Sequence, residues 1–311
     1  MKDRLLVTGY VNPDLDATAC AVAYSEYLQK TGTDAVAGVF GSPSAEARFV
    51  ISFFQIQTPP DASPLVKDIP SVVLVDASDL RGLAKDLKPE QVVEIIDHRS
   101  VHQADQFPHA QIQIELVGSA ATLIAEKFSF GKVEISEQSA ALLYSAIISN
   151  TVNFQANVTT ERDQKMANWL VDKLKLPADY IHQMFVVKSQ FTKPLKEELV
   201  DDLATFDFGG HTLGIAQLEI VAVTNFVEQR RAEIDQALLD IKDELGLEYI
   251  FLTCIDVERA TNTFVVVDDA AQDLVAEALG VVFHDLVAQK EGIMMRKTIV
   301  PLVKGSLEKD I

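Results

Sequence analysis

A short apolar run near the start of the chain ends in a turn that carries two carboxylates. Leu5-Leu6-Val7 leads into Gly9-Tyr10-Val11-Asn12-Pro13-Asp14-Leu15-Asp16, and the helix-prone segment Ala17–Ala23 follows. This order predicts a strand, a tight turn and a helix, with Asp14 and Asp16 at the carboxyl end of the strand. That edge of an open α/β sheet is where ligands bind. An isolated Asp-x-Asp is also typical of a solvated turn in which aspartate caps a helix, so the pair needs further support.

Further polar residues follow apolar runs in the same half of the chain. They are Asp76 after Ser71–Val75, Asp97-His98-Arg99 after Val92–Ile96, and Asn150 after Ala146–Ser149. A buried parallel strand is a nearly continuous apolar run, and the polar residue just past its end faces the ligand crevice. The run before Asn150 fits the end of a helix equally well.

Asp14, Asp16, Asp76 and His98 together predict a metal site. Carboxylate oxygens with one imidazole suit a hard or borderline divalent ion such as Mn²⁺ or Mg²⁺. For any one of these carboxylates alone, helix capping or a surface turn is the more ordinary interpretation. The four side chains taken together favour a metal.

The same residues carry a resemblance to the DHH phosphoesterase superfamily. It rests on Asn12-Pro13-Asp14-Leu15-Asp16, on Asp76, and on Asp97-His98-Arg99 where the family has Asp-His-His. Within the superfamily the chain is similar to the manganese-dependent family II inorganic pyrophosphatases. The similarity runs nearly end to end, because further segments follow in the family's order: Gly118–Thr122, Ser145–Thr151 and Met294–Lys297.

The resemblance implies a two-domain α/β fold. An N-terminal DHH-type domain with a parallel sheet is expected over residues 1–187, and a smaller C-terminal mixed α/β domain over 196–311. Residues 188–195 are expected to be the linker, since Val187–Pro194 breaks the strand and helix pattern. The active site is expected in the interdomain cleft, with one or two Mn²⁺ ions, or Mg²⁺ or Co²⁺ in their place.

The chain departs from the family at three positions of the metal site. Tyr10 stands in place of a metal-binding histidine, Asn150 in place of a metal-binding aspartate, and Arg99 in place of a histidine beside the substrate. Carried over position by position, Asp14 and Asp76 remain for one metal, and Asp16, Asp76 and His98 for the other. A neutral phenol is a poor ligand near neutral pH, and an amide oxygen brings no charge. The resemblance therefore implies a site that favours phosphate but holds its metals less tightly.

The remaining roles also follow from the resemblance. Asp97 is expected to fix the tautomer of His98, and Arg99 to hold phosphate through paired hydrogen bonds. Arg296 and Lys297 are expected to bind phosphate across the cleft, with Met295 in place of the family's serine. Without the resemblance, Arg296-Lys297 would be taken as a solvated strand end before Pro301. His211 is a loose match for a further family lysine, and His102 is a weak candidate for a replacement ligand.

These roles predict a metal-dependent hydrolase of phosphoanhydride bonds, similar to inorganic pyrophosphatase, and leave two alternatives open. The altered first motif and Asp-His-Arg also resemble the prune-like and exopolyphosphatase branch, which is associated with short polyphosphates. The changes at Tyr10, Asn150 and Met295 are compatible with a degenerate homologue that binds a phosphate compound or a protein partner without turnover. A homodimer is expected by resemblance only.

Composition supports this interpretation. A length of 311 residues favours two domains. A net charge of −19 argues against a broad basic surface for nucleic acid. No apolar stretch resembles a signal peptide or spans a membrane, so the protein is expected to be cytoplasmic and not membrane-bound. Cys20 and Cys254 lack partners at metal-ligand spacing and are expected to be buried reduced thiols.

The apolar periodicity predicts further elements along the chain. Helices are expected at Glu137–Ile148, Glu161–Leu174, Val227–Leu245 and Ala271–Gln289. Strands of the second domain are expected at Leu213–Glu219, Tyr249–Cys254 and Thr263–Val267.

Overall fold

The computed structural model describes residues 4–99, 102–191 and 193–308, and within them the chain forms two compact units. The first unit runs to Phe154 and resumes over Val158–Val187. The second unit takes Gln155–Asn157 together with the chain from Lys188 onwards.

A five-stranded parallel sheet in the order β2-β1-β3-β4-β5 forms the centre of the first unit. Its strands are β1 (Leu5–Thr8), β2 (Ala35–Ala37), β3 (Ser71–Val75), β4 (Val92–Asp97) and β5 (Gln111–Ile114). Parallel neighbours require crossover connections, which explains why helices separate most of these strands. The sheet that the sequence predicts for this half of the chain is confirmed.

Seven helices belong to the described part of the first unit. They are α1 (Leu15–Lys30), α2 (Ala45–Phe53), α3 (Ala62–Asp68), α4 (Ala120–Gly131), α5 (Glu137–Asn150), α6 (Glu161–Val171) and α7 (Tyr180–Lys188). Short 3₁₀ turns occupy Pro89–Gln91 and Ala104–Gln106. The run Ala146–Ser149, which was compatible with a strand or a helix end, is the last turn of α5.

The second unit contains a mixed five-stranded sheet in the order β10-β9-β8-β7-β6, in which β7 and β8 are parallel and the other pairs antiparallel. Its strands are β6 (Leu203–Phe208), β7 (His211–Ile220), β8 (Tyr249–Asp256), β9 (Thr261–Val266) and β10 (Val287–Glu291). Its helices are α8 (Leu195–Asp201), α9 (Val223–Leu245), α10 (Asp269–Leu279) and α11 (Arg296–Leu307). Two apolar clusters form its core, one that contains side chains of α8 and α9 and one that contains side chains of α10 and α11.

The predicted helix over Ala271–Gln289 is wrong beyond Leu279. Gly280 lies in the left-handed region with φ 63° and caps α10, a conformation that glycine adopts without steric cost. The chain then turns back, and Val287–Glu291 pairs antiparallel with β9. The apolar residues keep helical spacing through this segment, but Gly280 ends the helix and residues Val287–Glu291 form a strand instead.

The segment predicted as a linker is tied to the second unit. The Lys188 Nζ atom lies 2.9 Å from a carboxylate oxygen of Glu219, and the Ser189 hydroxyl accepts a hydrogen bond from the Val221 amide at 2.9 Å. Both contacts are made at the end of β7. The predicted linker therefore already contacts the second sheet at its first two residues.

Both cysteines are buried and free, as predicted. In the part of the chain that the structure describes, no helix is long and apolar enough to cross a membrane.

Candidate metal centre

The order of the first sheet determines where a ligand can bind. From β1 the chain moves to β2 on one side and then returns to β3 on the other side of β1. The crevice at such a reversal, outside the carboxyl ends of the strands, is the common ligand site of open α/β sheets. Asp14 and Asp16 follow β1, and Asp76 follows β3, so the reversal brings these three carboxylates to the same edge of the sheet.

Asp16, Asp76 and His98 form a cluster at this edge. Each offers one ligand atom, and these atoms lie within 4.8 Å of one another. The His98 Nε2 atom is 3.3 Å from Asp76 Oδ1 and 3.9 Å from Asp16 Oδ2. The structure therefore brings together three of the four side chains that the sequence assigned to a metal.

The imidazole of His98 is oriented by a main-chain carbonyl. Its Nδ1 lies 3.0 Å from the Val117 oxygen, which can only accept, so Nδ1 carries the hydrogen. In the neutral ring this leaves the lone pair on Nε2, the atom that faces the carboxylates. Burial acts to lower the pKa of His98, but Asp76 and Asp16 outweigh it and raise that pKa to about 9.

The predicted role of Asp97 in fixing the tautomer of His98 is wrong. Asp97 is the last residue of β4, and its buried carboxylate accepts hydrogen bonds from the Ser78 hydroxyl and, at 2.7 Å, from the His98 main-chain amide. Neighbouring residues of an extended chain point to opposite sides, so Asp97 contacts the main chain of His98 and not its ring.

Asp16 is held by the first turn of α4. Its carboxylate is fully buried and accepts from the Ala120 amide at 2.8 Å and the Ala121 amide at 2.9 Å. A helix N-terminus stabilises an anion, because its first amides lack partners within the helix and the dipole is positive there. This explains how Asp16 is kept in place without solvent.

Asp76 is held in an unusual backbone conformation. Its φ is 51°, in the left-handed region that non-glycine residues rarely adopt, and its amide donates to the Ile96 oxygen at 2.8 Å. Such conformations persist where the surroundings impose them, often at functional sites. Burial, followed by the charges of Asp14 and Asp16, raises the pKa of Asp76 to about 7.

One oxygen of Asp76 tests whether the cluster suits a cation. Within the described residues, the buried Oδ1 atom has no hydrogen-bond partner, although the His98 ring is nearby. Its nearest nitrogens, His98 Nε2 at 3.3 Å and Arg99 Nη2 at 3.4 Å, do not meet hydrogen-bond geometry, so this buried oxygen retains capacity for a further partner such as an ion. Two carboxylates and a correctly oriented imidazole are a donor set that Mn²⁺, Co²⁺ or Mg²⁺ accepts. The residues present therefore fit a divalent ion.

Asp14 lies outside this cluster. Its Oδ1 accepts the Ala17 amide at 2.9 Å and caps α1, and the side chain is exposed. The helix-capping interpretation of this carboxylate is therefore observed. Its role as a metal ligand stays a prediction, supported by its closeness to Asp76, whose pKa its charge raises.

Comparison with known proteins agrees with this geometry. The DHH family N-terminal domain matches residues 4–147, and the DHHA2 domain matches residues 182–306. A Listeria innocua protein named probable manganese-dependent inorganic pyrophosphatase is 30% identical over 312 residues, covering 98% of this chain and 99% of that protein. The chain belongs to this pyrophosphatase family, within the DHH superfamily.

Other members are similar along their whole length. A Bacillus cereus protein of the same name is 28% identical over 309 residues, covering 98% of this chain and 99% of that protein. The crystal structure of a Methanococcus jannaschii protein assigned to family II inorganic pyrophosphatases superposes with a TM-score of 0.72 at 27% identity, over 98% of this chain and 99% of that one. An exopolyphosphatase-related protein from Bacteroides fragilis shares the fold at 14% identity, with a TM-score of 0.52 over 99% of this chain and 92% of that one.

Arg99 and Tyr10, two departures from the family pattern, contact each other. The guanidinium carbon of Arg99 lies 5.1 Å from the centre of the Tyr10 ring, in the geometry of a cation–π contact. Arg99 Nη1 also donates to both oxygens of Asp97, at 3.0 and 3.1 Å, and to the Asp76 main-chain oxygen. Burial opposes the charge of Arg99, but Asp76 and Asp97 outweigh it and raise its pKa.

Asn150, the third departure, acts as a donor. Its amide nitrogen donates to Asp16 Oδ2 at 2.7 Å. The family aspartate would bring a second carboxylate to this position, whereas the amide neutralises part of the Asp16 charge by a hydrogen bond. Asp16 Oδ2 therefore accepts from the Asn150 side chain as well as from the Ala120 amide.

The second unit carries the other predicted residues at the start of α11. The guanidinium of Arg296 donates to Asp202 Oδ1 at 2.6 Å and to the Ile215 oxygen at 3.2 Å, so it is held by its own unit. Lys297 is exposed, and among the described residues no carboxylate pairs with it. Partial burial lowers the pKa of Lys297. Pro301 lies inside α11, so the alternative of a strand end before this proline is wrong.

The weaker candidates make local contacts. His211 Nδ1 lies 2.8 Å from Glu248 Oε2, and His102 Nδ1 accepts the Ala104 amide at 3.4 Å. Neither belongs to the described metal cluster. Sequence reasoning missed the main-chain groups that orient the ligands, namely the Val117 carbonyl and the Ala120 and Ala121 amides. The sequence signal for the latter was Ser119 before Ala-Ala-Thr, which is an N-cap pattern.

Metal affinity is predicted to rise with pH. The ion binds the deprotonated His98 nitrogen and the deprotonated Asp76 carboxylate. Their pKa values are about 9 and about 7, so at a pH below these values the ion must displace a proton from each group in order to bind. Mn²⁺ affinity should therefore strengthen by about tenfold per pH unit between about pH 7 and pH 8.5, with release of about one proton. Calorimetric titration in buffers of different ionisation enthalpy measures both quantities. Equal affinity across this range without proton release would contradict the assignment of His98.

Proposed function

We propose that the protein is a metal-dependent hydrolase of phosphoanhydride bonds, with inorganic pyrophosphate as its substrate. The observation that carries this proposal is the Asp16, Asp76 and His98 cluster at the sheet reversal of a pyrophosphatase family member. The cofactor is proposed to be Mn²⁺, with Mg²⁺ or Co²⁺ as possible replacements. A bound divalent ion would polarise a phosphoryl oxygen and lower the pKa of a bound water.

The protein's own residues prepare this chemistry by fixing the donor atoms. The α4 amides hold Asp16, the Val117 carbonyl holds the ring of His98, and the backbone conformation of Asp76 holds its carboxylate. Donor groups that are oriented before the substrate arrives lose little freedom on binding, which favours catalysis. Asp97 is proposed to act through Arg99, whose guanidinium it anchors.

Lys297 is proposed to bind a phosphate group of the substrate, and Arg296 to support it. Lys297 is an exposed cation in the first turn of α11, where the helix dipole also attracts anions. Arg296 is committed to Asp202, so its contribution is to anchor this turn. The assignment otherwise rests on the order of the family motifs.

The altered site favours a second candidate, hydrolysis of short polyphosphates. Arg99 adds a positive charge where the family has a histidine beside the substrate, and a more positive site suits a longer, more highly charged chain. Loss of catalysis, with a phosphate compound or a protein partner bound instead, is the third possibility and the same assay separates it. The cytoplasmic location remains a prediction from the sequence.

Substitution of Asp76 tests whether the cluster takes part in catalysis. Phosphate release from pyrophosphate with Mn²⁺ should fall by more than about a hundredfold in Asp76→Asn, because the substitution removes the charge of the carboxylate that faces His98. Asp79→Asn is the matched control, since Asp79 lies in the same turn but outside the cluster and should keep full activity. Tripolyphosphate assayed alongside ranks the two substrates.

Three results of this assay would count against the proposal. Full activity in Asp76→Asn would exclude the cluster from catalysis. Release from tripolyphosphate alone would favour the polyphosphate candidate. Absence of release from either compound, with pyrophosphate still bound, would identify a degenerate homologue.

Substitution of Lys297 tests its proposed contact with phosphate. Lys297→Ala should raise the KM for pyrophosphate by about tenfold or more, because a charge-assisted hydrogen bond to phosphate is lost. Lys304→Ala, at the other end of α11 beside Glu308, is the control and should leave KM unchanged. An unchanged KM in Lys297→Ala would remove this residue from the site.

A homodimer is also proposed, through the exposed edge of the first sheet. The outer strand β5 is the last in the sheet order, and Ile112 and the nearby Leu116 expose 51% and 68% of their surface. An edge strand with apolar side chains is a template for pairing with another chain. Sedimentation velocity should find a dimer that Ile112→Lys weakens, and a monomer at all concentrations would exclude it.

A further inference from the structure

We propose that Arg99 takes the place of one of the two metal ions of the family, so that the site holds a single divalent ion on Asp16, Asp76 and His98. This inference rests on the proposed function, because it concerns the same site. The resemblance left one or two ions per chain open, and this proposal gives one.

Arg99 already neutralises the carboxylate that two metals would share. Its Nη2 atom lies 3.4 Å from Asp76 Oδ2 and 3.4 Å from Asp76 Oδ1. By resemblance, Asp76 bridges the two ions. A guanidinium at this distance from both oxygens repels a second divalent ion, since like charges in a poorly solvated site oppose each other strongly.

The guanidinium is also too firmly held to move aside. Its contacts with Asp97 and with the Asp76 main-chain oxygen fix one edge, and the Tyr10 ring covers one face. Asp97 is fully buried, so removal of Arg99 from it would leave a charge without its cationic partner. Arg99 is therefore a permanent part of the site and not a side chain that folds onto the substrate.

Tyr10 completes this replacement. Its hydroxyl oxygen accepts the Ser78 amide at 3.1 Å and the Asp79 amide at 3.2 Å. Both lone pairs of the phenol oxygen are thereby occupied, and the oxygen is turned towards the main chain. The position that supplies an imidazole ligand by resemblance instead supplies a ring on which the guanidinium rests.

The other ion position keeps three protein donors, although by resemblance it has lost the aspartate that Asn150 replaces. Asp16, Asp76 Oδ1 and His98 Nε2 remain close together, whereas for the first ion only Asp14 and the shared Asp76 are left. Asp14 is exposed and caps α1. The two substitutions at Tyr10 and Arg99 thus act together on one ion position and leave the Asp16, Asp76 and His98 cluster in place.

Metal stoichiometry tests the inference without reference to activity. Equilibrium dialysis of the full-length chain against Mn²⁺, followed by metal analysis, should give one ion per chain. Electron paramagnetic resonance should show isolated Mn²⁺. The double variant Tyr10→His/Arg99→His restores both imidazoles, and should bind two ions per chain with the spectrum of a spin-coupled pair.

Two further variants test whether the positive charge at position 99 is what excludes the second ion. Arg99→Lys keeps a cation and should still bind one ion. Arg81→Ala removes a nearby exposed arginine and should also bind one. Circular dichroism checks that each variant folds.

The wild-type protein by itself can overturn the inference. Two ions per chain with a spin-coupled spectrum would do so, whatever the variants show, and so would a folded double variant that still binds one ion. If the double variant does not fold, the wild-type count decides. Absence of phosphate release with one ion bound would count against the proposed function and leave this inference standing.

Discussion

The burial of three carboxylates at one edge of the first sheet is the constraint on which the site depends. Asp16, Asp76 and Asp97 are almost without solvent contact. A buried carboxylate is costly unless charges or hydrogen bonds compensate it. Each has a different compensation: helix amides for Asp16, a guanidinium for Asp97, and an imidazole with that guanidinium for Asp76.

These hydrogen bonds and ion pairs explain the positions of the loops and helix ends around the site. The start of α4 must lie against Asp16, which places Ser119 and the Val117 carbonyl beside the site. Because Val117 holds the ring of His98, the same loop orients two ligands at once. The guanidinium of Arg99 contacts both Asp97 and Asp76 and rests on the Tyr10 ring, so the two altered residues take part in the contacts that hold the site together.

Much of this was predictable from particular residues. The apolar runs before Asp76 and Asp97 predicted buried parallel strands, because such strands lack the alternation of half-buried ones. The end of α10 was missed, since the periodicity of Ala271–Gln289 continued past a glycine that ends the helix. The partner of the His98 ring was also missed, because a main-chain carbonyl carries no residue identity that a sequence motif can show.

The sequence by itself determined the type of fold, the side chains available as ligands and the positions at which this chain departs from its family. The ligands depend on residue type, whereas the fold and the departures follow from the order of the motifs along the chain by resemblance to the family. Only the tertiary structure decided that Asn150 donates to Asp16, that Tyr10 turns its hydroxyl to the main chain, and that Arg99 lies on Asp76. Those facts depend on the direction of each side chain in space, which is set by packing and hydrogen bonds between residues far apart in sequence.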